Sequence, residues 1–282
     1  MHKIFFGDNL EILKTIPDKS VKLCFLDPPY NTQKSRQTRK IIKAVKSDTG
    51  LVGFGGNKYD REDLGDYASF DDKFDDYIGF LKPRLLEMHR ILTDDASAYI
   101  ILDYREVHYV KVLMDEIFGR ENFINEIVWC YNYGANSKKK WSAKHDNILF
   151  YAKDHKHYTF NYDKIPRIPY EAPTLAGPEK AARGKIVVDW WKETIVPTNS
   201  REKQNYATQK PLRILNRIVE VSSNPNDLCM DFFAGSGSFG EACLSLNRDC
   251  ILIDNNPEAI KIMQRRLFKY SAQTSYNVLP NI

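Results

Sequence analysis

Short apolar runs alternate along the chain with longer stretches in which apolar residues recur every three or four positions. The runs have the length of buried strands and lie at 4–6, 21–26, 98–102, 124–130, 148–151, 228–233 and 250–253. The periodic stretches predict helices and lie at 10–16, 77–92, 107–118, 212–221, 239–246 and 259–268. Strands that alternate with helices predict an α/β fold in which a mostly parallel central sheet is covered on both faces.

Two segments interrupt this alternation. Residues 31–70 have weak periodicity, with basic residues first and acidic residues later, and so long a connection is usually functional or disordered. Residues 155–205 are irregular and rich in proline, which predicts an inserted region. We therefore divide the chain into 1–154, which includes the 31–70 loop, then 155–205, and then 206–282.

Composition narrows the class of protein. With 282 residues, 43% of them hydrophobic, the chain can bury a sizeable core in one large domain or in one domain plus an insertion. Its formal charge of +4 is too mild to identify a nucleic-acid binder. The five cysteines form no C-x-x-C pair and indicate reduced thiols in a cytosolic protein. Because the chain has no signal-peptide layout and no apolar run of roughly 20 residues, we expect a cytoplasmic location and no membrane contact. No metal site is predicted.

The stretch DFFAGSGSFG at 231–240 follows a predicted strand and opens a predicted helix. Gly235, Gly237 and Gly240 match the pattern G-x-G-x-x-G. The next strand ends in Asp254, where an acid suits a pair of ribose hydroxyls. The alternative is a tight turn that requires small residues. A nicotinamide-binding fold places this unit first, whereas here few residues follow it, so the order of the two halves is permuted.

The buried run at 21–26 ends abruptly in Asp27-Pro28-Pro29-Tyr30. Proline lacks an N–H, so the pair ends the strand and leaves carbonyl oxygens without competing donors. We expect this strand to lie beside the glycine-loop strand, at a switch point where ligands bind at the carboxyl ends of a parallel sheet. The alternative is a proline turn with Asp27 as a simple cap.

Four stretches together resemble the amino-group DNA methyltransferases that use S-adenosylmethionine. They are LDPPYNT at 26–32, MDEIFGRENFINEIVW at 114–129, TQKP at 208–211 and DFFAGSGS at 231–238. Their order is similar to the β-class arrangement, in which the Asp-Pro-Pro-Tyr motif precedes the recognition insertion and the glycine motif. The chain also resembles the modification enzymes of restriction–modification systems.

The resemblance implies a Rossmann-like methyltransferase fold with a permuted motif order. It implies transfer of a methyl group to adenine N6 in a flipped-out base of duplex DNA. Residues 1–154 would be the catalytic half of the methyltransferase domain, with 31–70 as a lid-like loop. Residues 155–205 would be a candidate target-recognition insertion, and 206–282 the cofactor-binding half of the same domain.

The resemblance also implies roles for individual residues in the reaction. Asp27 and the carbonyl of Pro28 would accept hydrogen bonds from the target amine and stabilise its developing positive charge. Tyr30 would stack on the base, and Pro29 completes this catalytic set.

The residues that the resemblance assigns to the cofactor are Asp8, Thr208, Lys210, Asp231, Phe233, Ala234, Gly235, Gly237, Asp254 and Asn255. Asp8 would approach the adenine of the cofactor, with an ordinary helix cap as the alternative. Lys210 would lie near the methionine end, with a solvated lysine at a helix start as the alternative. Ser238 stands where many relatives have a threonine, so its role is open.

Two basic segments are candidates for DNA contact. The residues are Lys34, Arg36, Arg39 and Lys40 in the first, and Lys138, Lys139, Lys140, Trp141 and Lys144 in the second. The first follows the catalytic motif and could close over the phosphates, and the second mixes charge with an aromatic ring. The alternative for each segment is a solvated charged surface.

Three rival functions stay open on sequence alone. Cytosine-N4 methylation uses the same chemistry, although relatives of that kind usually carry Ser at the position of Asp27. A nicotinamide-dependent dehydrogenase shares the glycine loop, but the permuted order argues against it. A DNA-binding module with a decayed site is at odds with the intact motifs. A homodimer and a cognate restriction endonuclease are expected from the resemblance only.

Overall fold

The computed structural model describes residues 2–35, 40–52, 58–66, 71–197, 199–204, 206, 208–273 and 278–279. The chain divides into two compact units. The smaller is Thr32–Phe74, and the larger comprises the residues up to Asn31 and from Asp75 onward.

The strands and helices of both units follow the chain in one numbering. The strands are β1 (His2–Phe6), β2 (Val21–Leu26), β3 (Lys34–Ser35), β4 (Lys40–Val52), β5 (Lys58–Asp66), β6 (Asp71–Asp72), β7 (Leu92–Leu102), β8 (Phe123–Cys130), β9 (His145–Ala152), β10 (Arg167–Ile168), β11 (Lys185–Ile186), β12 (Trp190–Lys192), β13 (Leu228–Asp231), β14 (Asp249–Asp254) and β15 (Val278–Leu279). The helices are α1 (Asn9–Leu13), α2 (Tyr77–Ile91), α3 (Val107–Phe118), α4 (Pro173–Ala176), α5 (Pro178–Arg183), α6 (Leu212–Ser222), α7 (Ser238–Ser245) and α8 (Pro257–Leu267). Short 3-10 helices lie at Arg120–Asn122, Tyr162–Lys164 and Phe268–Gln273.

The larger unit is built on a nine-stranded sheet with the order β12-β8-β9-β7-β2-β13-β14-β1-β15. Among these described strands, β9 alone runs antiparallel to its neighbours. The strand that carries the Asp-Pro-Pro-Tyr motif pairs with the glycine-loop strand, with Leu23 opposite Cys229 and Cys24 opposite Met230. The predicted α/β fold with a mostly parallel sheet and a permuted order is therefore confirmed.

Helices cover both faces of the sheet, as the alternation of side chains along each strand requires. In β9, Ile148 and Phe150 join the core that includes α6, α7 and α8. Tyr151 points to the opposite face, where its ring lies 5.4 Å from that of Phe118 in α3. All six residues of β2 are buried. The five cysteines are free, and four of them are buried, as expected for core thiols. Within the described residues, none of the helices is both long and apolar enough to cross a bilayer.

Residues 155–205 belong to the larger unit. Their last strand, β12, extends the edge of the sheet in parallel with β8, with Trp191 opposite Trp129. Upstream, the amide of Asn161 donates to the carbonyls of Glu220 (3.0 Å) and Ser223 (2.9 Å) at the end of α6. The segment thus completes one edge of the sheet, and its role in target recognition stays a prediction.

The smaller unit covers most of the 31–70 segment, and the described part of its backbone forms strands. The lid-like role of this segment stays a prediction. Strands β4 and β5 pair as an antiparallel hairpin, and β3 pairs with β6. The register sets Lys43 opposite Glu62, and Lys40 opposite Asp66. Weak periodicity concealed these strands because charged residues occupy so many positions.

Candidate active site

Four adjacent parallel strands each deliver an aspartate to the same edge of the sheet. Asp27 follows β2 and Asp103 follows β7, while Asp231 ends β13 and Asp254 ends β14. The antiparallel strand β9 brings a fifth, Asp146, because its amino end lies at this edge. No group of three or more His, Cys, Asp or Glu side chains among the described residues is arranged to hold a metal ion. The carboxyl edge is thus the candidate site, as open parallel sheets lead one to expect.

Lys210 neutralises the carboxylate of Asp27. Its ammonium donates to both oxygens of Asp27, at 2.6 Å each, and the two side chains are 7% and 18% exposed. The same ammonium lies 5.2 Å from the centre of the Tyr30 ring. Sequence reasoning assigned Lys210 to the cofactor or to solvent. The structure places it on the predicted catalytic carboxylate.

The rest of the TQKP motif anchors this lysine. Thr208 is exposed, with a left-handed backbone at φ 59°. The buried amide of Gln209 donates to the carbonyl of Glu202 (2.7 Å) and accepts from the N–H of Gln204 (2.9 Å). Helix α6 begins directly after Pro211, so Lys210 is held between a fixed loop and a helix start.

Hydrogen bonds from outside the motif fix the turn after β2. The hydroxyl of Tyr77 donates to the carbonyl of Pro29 (2.6 Å), and the amide of Asn31 donates to Glu106 (2.7 Å). Within the described part of the chain, no hydrogen bond reaches the carbonyl of Pro28. Of the two proline carbonyls, the one predicted to accept from the target amine is therefore the one that has no donor among the residues that the structure describes.

Asp146 holds two tyrosine rings. It is 6% exposed and accepts from the hydroxyls of Tyr30 (3.3 Å) and Tyr131 (3.0 Å). Burial raises the pKa of Asp146, while Lys210 acts to lower it. Burial and the neighbouring charges of Asp27 and Asp146 raise the pKa of Tyr30 well above its ordinary value. Sequence reasoning missed Asp146, and the available signal was an acid two residues before a predicted strand.

The glycine loop adopts a backbone that other residues rarely take. Gly235 and Gly237 have φ values of 48° and 70°. A Cβ on Gly237 would lie 2.7 Å from Met263 Cγ. The N–H of Gly235 donates to Asp254 (2.7 Å), which also accepts from the N–H of Asn256 (2.8 Å). The loop is thus tied to the acid that ends the next strand.

The remaining predicted cofactor residues line the same loop. Asp231 accepts from the N–H of Phe233 (2.9 Å), and burial raises the pKa of Asp231 well above its ordinary value. Ala234 is buried and its N–H donates to the carbonyl of Ile253 (3.1 Å). Asn255 is exposed beside Asp254.

Asp8 caps a helix and pairs with an arginine that the sequence did not single out. Its carboxylate accepts from the N–H of Leu10 (2.8 Å) and from Arg84 (3.0 Å), and its side chain is 51% exposed. The guanidinium of Arg84 lies 4.0 Å from the ring centre of Phe80, which in turn is 6.1 Å from Phe233. Asp8 is therefore a helix cap, which was the alternative to a cofactor contact, and about half of its side chain still faces solvent.

The loop between β8 and β9 leaves the sheet at the same edge. Its most exposed aromatic residues are Tyr133 (63%) and Trp141 (98%), and Lys138, Lys139 and Lys140 are exposed beside them. Lys144 differs from these lysines, because its ammonium donates to three carbonyls of the loop, those of residues 133, 134 and 135. Its charge thus fixes the loop conformation.

The first basic segment is described only in part. Lys34 lies on β3 and Lys40 begins β4. Arg36 and Arg39 lie outside the described residues.

Comparisons with known proteins place this chain in a family. The family model described as DNA methylase, for N6 and N4 methyltransferases, matches residues 21–265. The DNA adenine methyltransferase YhdJ of Escherichia coli (strain K12) is 32% identical over 275 residues, which cover 94% of this chain and 82% of YhdJ. The Type II methyltransferase M.HpaI of Haemophilus parainfluenzae is 28% identical over 267 residues, which cover 94% of this chain and 74% of M.HpaI.

A solved structure shares the fold. The crystal structure of the M1.HpyAVI–SAM complex is 19% identical to this chain and matches it with a TM-score of 0.61, covering 95% of this chain and 99% of that one. The chain belongs to the DNA methylase family of S-adenosylmethionine-dependent N6 and N4 methyltransferases.

Proposed function

We propose that the protein transfers a methyl group from S-adenosylmethionine to N6 of adenine at a specific site in duplex DNA. The observation that carries this proposal is the largely buried carboxylate of Asp27 beside the carbonyl of Pro28, at the switch point of the sheet. The relative YhdJ, 32% identical to this chain, is named a DNA adenine methyltransferase.

The exocyclic amine needs two acceptors, because its lone pair is otherwise delocalised into the ring. Each oxygen of a carboxylate has two lone pairs, so Asp27 can accept from the amine while Lys210 continues to donate. The carbonyl of Pro28 accepts the second N–H. These two acceptors localise the lone pair and stabilise the positive charge that develops on nitrogen. Asp27 also offers an acceptor for the proton that the methylated amine must lose.

Tyr30 offers the surface on which the base stacks. Flipping a base out of the duplex costs a few kcal/mol, and stacking on an aromatic ring returns roughly 1–3 kcal/mol. The hydrogen bond to Asp146 fixes the ring before the base arrives, so little freedom is lost on binding.

The residues of the glycine-loop region suit S-adenosylmethionine. Asp254 has lone pairs beyond those that accept from the loop, and these can accept the ribose hydroxyls. Phe233 and Phe80 provide apolar rings for the adenine, with the half-exposed carboxylate of Asp8 nearby. When bound, S-adenosylmethionine supplies an electrophilic methyl group on a positively charged sulfur.

The loop between β8 and β9 is the proposed DNA contact. Lys138, Lys139 and Lys140 would bind phosphates, and the almost fully exposed ring of Trp141 would stack on bases or sugars of the opened duplex. The position of the loop supports this role. Tyr131 at the start of the loop and Tyr30 both donate a hydrogen bond to Asp146, so the loop begins close to Tyr30.

The proposal is tested by transfer of labelled methyl groups from S-adenosylmethionine to DNA of mixed sequence, with the product hydrolysed to nucleosides and identified by mass spectrometry. We expect N6-methyladenine from the wild-type protein and no product from Asp27→Asn. The matched control is Asp94→Asn, because Asp94 pairs with Lys19 (2.9 Å) near the start of β7, and both side chains are exposed. We expect it to retain full activity.

Two results would overturn the proposal. Detection of N4-methylcytosine as the product would show that the site acts on cytosine, since the family also includes N4 methyltransferases. Absence of any methylated base with folded wild-type protein would remove the methyltransferase assignment.

Three further partners and properties extend the proposal. A homodimer, a cognate restriction endonuclease and a cytoplasmic location suit a restriction–modification enzyme, and M.HpaI is named a Type II methyltransferase. Sedimentation of the purified protein with and without DNA tests the dimer, and a single species at the mass of one chain under both conditions would contradict it.

A further inference from the structure

Tyr206, which none of the motifs identified, lies beside the glycine loop and near the acids at the ends of β14 and β2. A Cβ on Gly235 would lie 3.0 Å from Cε1 of Tyr206, so the tyrosine ring rests against the backbone of the loop. Burial raises the pKa of Tyr206, and the charges of Asp254 and Asp27 raise it further, which places both carboxylates within electrostatic reach of its hydroxyl. One half-buried tyrosine thus adjoins the acid proposed for the ribose and the acid proposed for the target amine.

Hydrogen bonds hold the segment that carries Tyr206. The side-chain amide of Gln209 accepts from the N–H of Gln204 (2.9 Å) and donates to the carbonyl of Glu202 (2.7 Å). The ammonium of Lys203 donates to the carbonyl of Tyr206 itself (3.3 Å). Among the described residues, no hydrogen bond reaches the hydroxyl of Tyr206. The fold therefore anchors the backbone of Tyr206 and packs its ring, but it does not require the hydroxyl.

The covalent structure of S-adenosylmethionine determines which of its groups would face this ring. Its sulfur is bonded to the ribose through a single carbon and carries the methyl group that is transferred. With the ribose hydroxyls on Asp254 and the target amine on Asp27, the sulfur lies between these two carboxylates, where Tyr206 covers the glycine loop. A cation within about 6 Å of the centre of an aromatic ring is attracted to its electron-rich face, and the attraction is stronger where water is excluded.

We propose that Tyr206 is a further cofactor-binding residue, whose ring contacts the positively charged sulfur of S-adenosylmethionine. The inference rests on the proposed function, which places the ribose on Asp254 and the target amine on Asp27. The ring takes the place at the methionine end that sequence reasoning gave to Lys210, whose ammonium instead pairs with Asp27. Because the sulfur becomes neutral when the methyl group leaves, the contact favours S-adenosylmethionine over its product, S-adenosylhomocysteine.

The test uses isothermal titration calorimetry of the full-length protein, without DNA, against S-adenosylmethionine and S-adenosylhomocysteine. The two ligands differ by the methyl group and by the charge on sulfur, so the ratio of the first affinity to the second reports the contribution of the charge. In Tyr206→Leu we expect this ratio to fall roughly tenfold, because the aromatic face is lost. Tyr206→Phe keeps the ring and should keep the wild-type ratio.

Two outcomes overturn the inference in different ways. An unchanged ratio in folded Tyr206→Leu would show that the ring does not distinguish the charge, even if both affinities fall together, because a purely structural role weakens both ligands alike. Failure of the folded wild-type protein to bind either ligand would overturn the proposed function as well. Wild-type binding with an unchanged ratio in the variant removes only the role of Tyr206.

Two further proteins separate the charge of the ring from its shape. Pentafluorophenylalanine incorporated at position 206 keeps the outline of the ring but reverses the charge on its face, so the ratio should fall as it does in Tyr206→Leu. A ratio equal to that of Tyr206→Phe would contradict the contact. The matched control is Tyr158→Leu, since Tyr158 is also a half-buried tyrosine packed against the same core, with its ring 5.8 Å from that of Phe150. We expect it to keep the wild-type ratio, and an equal fall there would refute a specific role for Tyr206.

Discussion

Replacement of Lys210 by Met removes the ammonium from Asp27 and leaves a carboxylate in a largely buried site. The ammonium lies 2.6 Å from both oxygens, and the two side chains are only 7% and 18% exposed. Removing one partner of a buried pair costs about 3–5 kcal/mol. Because Asp27 keeps some contact with solvent, we expect the lower end, about 3 kcal/mol. At roughly 2–4 °C for each kcal/mol, the unfolding temperature should fall by about 6–12 °C.

The assay is thermal and urea unfolding of four proteins: wild type, Lys210→Met, Asp27→Asn and the double variant. If the pair is formed in the folded state, the double variant should be less destabilised than the sum of the single variants, by about 2–3 kcal/mol. Lys210→Arg is the charge-preserving control and should lose less than Lys210→Met.

A second control breaks an exposed ion pair. Lys19→Met removes the partner of Asp94, and both of those side chains are largely exposed, so a loss below about 1 kcal/mol is expected. Strict additivity of Lys210→Met and Asp27→Asn, or equal losses in Lys210→Met and Lys19→Met, would refute the reasoning that burial makes this pair strong.

Three further predictions follow from other contacts. Asp146→Asn leaves one acceptor for two tyrosine hydroxyls, so we expect kcat for DNA methylation to fall about tenfold while the Kd of S-adenosylmethionine is unchanged; an unchanged kcat would show that the tyrosine rings need no support. Replacement of Lys138, Lys139 and Lys140 by Ala should lower the slope of log K against log salt for DNA binding by up to about 2.7, and an unaltered slope would exclude these lysines from the phosphate contacts. Burial and Lys153 lower the pKa of His89 from 6.5 to about 4. Between these two pH values His89 binds a proton in the unfolded chain but not in the folded one, so the free energy of unfolding should fall as the pH decreases from about 6.5 towards 4. His89→Gln should reduce that fall in chemical unfolding, and an equally steep fall in the variant would rule out this histidine as its cause.

Local pattern was sufficient for the main elements and their order. Helices and strands in the larger unit follow from apolar periodicity, because each element must bury one face or both. The meeting of the Asp-Pro-Pro-Tyr motif and the glycine loop also followed, because both come after strands of a parallel sheet and the carboxyl ends of such strands share one edge. The family could be predicted because its motifs are short and local. The match of the family model to residues 21–265 confirms this prediction.

Local pattern was insufficient where periodicity was weak. The sequence between residues 31 and 70 gave no strand prediction, whereas the structure pairs β4 with β5 in this segment. The pairing of two strands depends on which residues face each other across the two backbones. Register is therefore required to recognise the pattern, and register is a property of the folded chain.

The sequence by itself determined the fold class, the permuted order of the two halves and the residues that end each strand. Only the tertiary structure decided which of those residues touch. Lys210 reaches Asp27 across 183 positions of sequence, and Asp146 reaches Tyr30 across 116. The first contact depends on where the loop before α6 lies relative to the end of β2, and the second depends on strand order and on the reversed direction of β9. Apolar periodicity reports burial along one element, whereas a hydrogen bond between distant side chains depends on how several elements are arranged in space.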